Sequence, residues 1–91
     1  MAAVKRSIRA VAIAERQAAA ELEAVQRFER WQAYRAEVSD RAAAAGVSMA
    51  APGVEFVPVR LLYDAGVTAA AAAGEVVGMA ADWAALEAAG I

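Results

Sequence analysis

Cysteine and histidine are both missing from this chain, and each absence removes a class of chemistry. Without cysteine there is no disulfide framework, no thiolate metal site and no cysteine nucleophile. Without histidine the commonest general base, the commonest metal ligand and every Ser-His or Cys-His nucleophile pair are gone as well. Conventional catalysis is therefore not expected, and neither is a cofactor or a small-molecule substrate. Bulky apolar side chains are scarce too. The chain is 62% hydrophobic, but 29 of its residues are alanine, which gains little on burial and chiefly supports helix. Ninety-one residues make one domain at most, and a chain this poor in bulk commonly finds its missing buried area in a partner or in its own copies. Long apolar runs are lacking as well. The longest uncharged stretch, Ala42 to Val54, is broken by Gly46, Pro52 and Gly53 and falls short of the roughly 18 residues a membrane span needs. No membrane-spanning helix is expected. The apolar run Ala10 to Ala14 is too short for a secretory signal, so a cytosolic product is expected.

The charge that is present is unevenly placed. Residues 1–16 carry +3, residues 17–41 carry −1 and residues 42–91 carry −4, which gives the net −2. The plainest reading of the basic end is a solvated helix start, and attraction between basic and acidic ends of neighbouring copies is an alternative to it. Binding to nucleic acid through Lys5, Arg6, Arg9 and Arg16 is the lesser alternative, because so few cations leave a weak electrostatic footprint.

From Ala3 to Ala45 the sequence has no proline or glycine and is filled with strong helix formers. One long helix is expected, closed at Gly46 in a left-handed conformation with Val47 supplying the accompanying apolar contact. At 100° per residue, Val4, Ile8, Val11, Leu22 and Val25 fall on one side, and Phe28, Trp31, Tyr34 and Val38 on the opposite side. The apolar stripe changes face near Gln26. Steps of three from Leu22 to Tyr34 drift around the helix, which is neither a heptad seam nor a straight amphipathic face and disfavours a simple two-stranded coiled coil. The two halves are expected to pack against different neighbours, one of them the chain's own C-terminal region and the other a second subunit.

The rest reads as a linker, residues 47–53, and a small module, residues 54–91. Val54 to Tyr63 is rich in β-branched and aromatic residues and reads as a strand, with Pro58 confining it to an edge or bulge. Asp64-Ala65-Gly66 is a turn signal, and Val67 to Ala73 reads as a loop despite its five alanines. Glu75 to Met79 reads as a second strand, and Trp83 to Ala89 as a short helix capped by Asp82 and ended by Gly90. The expected fold is α+β, mainly α: a long N-terminal helix over residues 1–46, then a small β-hairpin and a short C-terminal helix.

No constellation of acidic residues carries chemistry. Glu21 and Glu23 sit two residues apart, which on a helix points them away from each other. The Gly74-Glu75-Val76-Val77-Gly78 stretch puts a carboxylate where a phosphate cradle needs none. No catalytic, cofactor-binding or metal-binding residue is assigned. Trp31, Tyr34 and Arg35 with Arg27 and Arg30 resemble a base-stacking patch, but aromatic and arginine anchors belong more often to protein interfaces. The candidate contact residues are Phe28, Trp31, Tyr34 and Val38 on one face, Val4, Ile8, Val11, Leu22 and Val25 on the other, and Trp83 in the C-terminal module.

Phe56 to Tyr63, then Ala73-Gly74-Glu75-Val76-Val77-Gly78, then Ala84 to Ile91, resemble small structural proteins encoded among the head and tail genes of tailed bacteriophages. That pattern is a strand, a Gly-Glu-Val strand and an Ala-Leu-Ala-Gly helix. The resemblance covers about 35 residues and carries over no functional residue. It implies a non-enzymatic virion role, as a minor capsid, decoration or head-to-tail joining protein present in multiple copies and assembled in the bacterial cytoplasm. A cellular helical adaptor or oligomeric scaffold is the alternative from a different class.

Overall fold

In the computed structural model the backbone is described for residues 2–90 and the side chains for residues 8–90. Helix α1 is Ala2–Ala44, α2 is Val59–Asp64 and α3 is Ala69–Ala88, with a single 3-10 turn at Val54–Phe56. Backbone contacts divide the chain into two units, Met1–Arg30 and Trp31–Ile91. The boundary lies inside α1, shortly after the point where its apolar stripe changes face.

The expected β-hairpin is absent: among the described residues there is no strand. The segment assigned to a first strand is the 3-10 turn followed by α2. Its Val and Tyr content favours β structure, but Pro58 stands at the N-cap of α2. There its missing N–H is no loss, because the first N–H groups of a helix have no intrahelical partner. The segments assigned to a loop, a second strand and a short helix are one continuous helix, α3. Thr68 starts it by accepting a hydrogen bond from the Ala71 N–H at 3.2 Å, the bond that makes threonine a good N-cap. The five alanines then propagate it, and Gly74 and Gly78 lie within it at a penalty of about 1 kcal/mol each relative to alanine.

The ends of α1 and α2 share one device. At the end of α1, Val47 N–H donates to the Ala42 carbonyl and Gly46 N–H to that of Ala43. At the end of α2, Val67 N–H donates to Leu62 and Gly66 N–H to Tyr63. Both are Schellman closures, and both use Ala-Gly-Val, residues 45–47 and 65–67. Gly46 and Gly66 take φ values of 80° and 79°, which side chains other than glycine's rarely adopt. The expected end of α1 is thus where the sequence puts it.

The core of the C-terminal unit is built from small residues. Its buried members are Val38 and Ala42 of α1, Val54 and Val57 of the 3-10 region, and Ala69, Ala72, Ala73 and Val76 of α3. Half of them are alanines, so alanine here forms the contact surface itself as well as favouring the helices. Gly53 is the tightest point. Its φ is 90°, and a Cβ placed there would lie 2.7 Å from Trp83 Cβ.

Helix α3 is long and apolar enough to cross a membrane by length and composition. It carries Glu75, Asp82 and Glu87 along its length, and it contributes Ala69, Ala72, Ala73 and Val76 to the core while most of its other residues are exposed.

Candidate interaction surfaces

In the N-terminal unit α1 presents apolar side chains to solvent. Ile8, Val11, Leu22, Val25 and Phe28 are 51–64% exposed, and Ile13 is 48% exposed. All but Ile13 were singled out by the sequence. Val4 lies among residues 1–7, whose side chains are outside the described part. Isolated exposed apolar residues such as Ile13 are ordinary, but Ile8, Val11, Leu22 and Val25 share one side of the helix, and together they make a surface suited to contact.

The C-terminal unit treats its anchors differently. Val38 is fully buried in the core, and Trp31, Tyr34 and Trp83 are half-buried. Trp31, Tyr34 and Tyr63 form one aromatic cluster, with ring centroids 4.9–6.2 Å apart, the range in which aromatic pairs attract. The Tyr34 hydroxyl donates to the Val67 carbonyl at 2.9 Å, fastening α1 to the loop before α3. Burial, reinforced by the Glu37 carboxylate, raises the Tyr34 phenol above its ordinary pKa. Two guanidinium groups lie over the Trp31 ring, Arg60 at 4.8 Å and Arg35 at 5.8 Å. Arg60 also pairs with Asp64 at 3.2 Å, as Arg41 does with Glu37 at 3.2 Å. Both ion pairs are exposed, so each contributes only about 0.3–0.5 kcal/mol. Trp83 stacks on Phe56 at 5.3 Å, and its indole N–H donates to the Glu87 carboxylate at 2.7 Å.

An open cleft of about 540 Å³ lies beside Trp31, walled by Met49, Val54 and Val57 and edged by Arg35, Glu55 and Arg60. Reading from sequence missed Tyr63 and Arg60, which complete the aromatic and cationic cluster. The signal for them was the helical spacing of Val59, Leu62 and Tyr63, hidden under the strand assignment. The base-stacking patch also changes composition. The cations over Trp31 are those of Arg35 and Arg60, and Arg60 is shared with Asp64.

No protein-family model, no curated protein and no solved structure matches the chain.

Proposed function

We propose that this chain is a non-enzymatic assembly subunit that works by protein–protein contact through the N-terminal part of α1. The observation that carries the reading is the exposure of Ile8, Val11, Leu22, Val25 and Phe28 on a helix whose later residues Val38 and Ala42 are buried. The absence of histidine and cysteine supports a role without catalysis.

The setting proposed is the virion of a tailed phage, in the head or head-to-tail region. It rests on the sequence pattern alone, since the segments that would be its strands are helical here. Co-expression with the flanking genes, followed by purification of the resulting particles, tests it. The chain is expected in the particles at fixed stoichiometry, and Leu22→Glu with Val25→Glu is expected to prevent its incorporation. Homogeneous particles that lack the chain would overturn the virion setting. Normal incorporation of the double variant would overturn the contact surface.

A further inference from the structure

Within the N-terminal unit alone, the drift of the apolar stripe disappears. Ile8, Val11, Glu15, Ala18, Leu22 and Val25 follow one another at alternating steps of three and four, which is the a/d spacing of a heptad seam. The departure from that spacing begins with Phe28, close to the boundary at Arg30. The positions beside the seam include Ala12, Ala14 and Ala19, small enough for a second helix to approach near the short end of the usual 8–10 Å interaxial range.

We infer that the occupant of this seam is a second copy of the same helix, packed antiparallel. The inference rests on the contact reading above and names its partner. With the copies running in opposite directions, Ile8 meets Val25 of the second copy, Val11 meets Leu22, and Glu15 meets Ala18, each pair occurring twice by symmetry. The charges then complement one another. At the centre Glu15 lies beside Arg16 of the second copy, giving two carboxylates and two guanidiniums with no net charge. A parallel, in-register pair does the reverse. It stacks Glu15 on Glu15 inside the seam, where like charges are costly, and sets the basic start of each helix against its own kind. Both arrangements are two-fold symmetric, so the charges, and not the symmetry, separate them.

The chain has no cysteine, so introduced thiols report orientation without background. Full-length Val11→Cys and Leu22→Cys chains are to be oxidised separately and as a mixture, with solution mass measured by light scattering on the unmodified chain. The expected result is a mass of twice 9.4 kDa, with a disulfide dimer in the mixture and little in either variant alone. Efficient linking of Leu22→Cys to itself indicates a parallel pair and overturns the inference. A monomeric mass at every concentration tested also overturns it. The two readings fail separately. If the chain is monomeric but Leu22→Glu with Val25→Glu still blocks incorporation into particles, the contact surface stands and its partner is another protein. If that double variant changes neither mass nor incorporation, both readings fall.

Discussion

The parts of α1 before and after Arg30 carry similar apolar side chains but leave them differently exposed. Val25 leaves 51% of its surface to solvent, and Val38, further along the same helix, leaves none. Both are valines in a helix of uniform propensity, so residue type does not separate them. A neighbour does. From Trp31 onward α1 has the 3-10 region and α3 to pack against, and the short side chains of Ala69, Ala72 and Ala73 let those neighbours come close. Before Arg30 the large apolar side chains of α1 are exposed. A buried valine therefore reports an internal contact, and a run of exposed ones marks where an external contact is proposed.

The largest expected effect breaks the packed side of this comparison at its tightest point. Gly53→Ala combines a left-handed backbone with a clash against Trp83, and is expected to destabilise the C-terminal unit by roughly 3 kcal/mol. Denaturant unfolding followed by tryptophan fluorescence reads it directly. An effect below about 1 kcal/mol would show that α3 moves aside freely.

Next, the same substitution at two sites tests the contrast itself. Val38→Ala should lower stability by about 2 kcal/mol, through lost burial and the cavity left behind. Val25→Ala, measured at low protein concentration, should stay within about 0.5 kcal/mol of the parent. Circular dichroism melts of both variants decide the matter, and equal losses would mean that the two halves of α1 are not distinct.

A smaller change sharpens the role of Tyr34. Tyr34→Phe removes the donor to the Val67 carbonyl and should cost about 1 kcal/mol, with the Trp31 and Tyr63 ring contacts retained. Smaller still is the pH dependence of that residue. Its raised pKa means the folded chain holds the phenolic proton after the unfolded chain has begun to release it, near 10.0. The stabilisation it contributes is thus complete below that pH and falls as pH rises above it. Comparing the parent with Tyr34→Phe from pH 9 upward should show a shallower decline in the variant. Identical slopes would remove Tyr34 from the account.

Much of α1 was legible because its signals are local: no glycine or proline between Ala3 and Ala45, and Gly46-Val47 at the end. The change of apolar face near Gln26 was legible too, and it lies close to the boundary at Arg30, whereas the sequence had placed the first boundary at residue 46. The C-terminal module was misread for a physical reason. Val54, Phe56, Val57, Val59 and Tyr63 have strand propensity, but propensity is weak beside packing, and Val59, Leu62 and Tyr63 were also spaced for a helix. In α3 the misreading came from discounting alanine. Counting Ala69, Ala72, Ala73, Val76 and Ala80 as apolar yields steps of three and four through the supposed loop and strand. That face is the one the core uses. Of the candidate contact residues, the sequence separated the two faces of α1 but could not say which face the chain would cover itself. That depended on where α3 lay, and so on the helix that was misread.

The paired Ala-Gly-Val closures at residues 45–47 and 65–67 bear on how the C-terminal unit folds. Each is completed by hydrogen bonds reaching back five residues or fewer, and each is followed by a hydroxyl residue that accepts a local backbone hydrogen bond, Ser48 from the Ala50 N–H in a turn and Thr68 from the Ala71 N–H at the start of α3. Helix lengths in this unit are therefore set before any distant segment arrives. Chains whose structure is decided by such short-range contacts reach the native state in microseconds to milliseconds. The speed of this unit should then depend more on how readily Gly46 and Gly66 turn than on the search for α3.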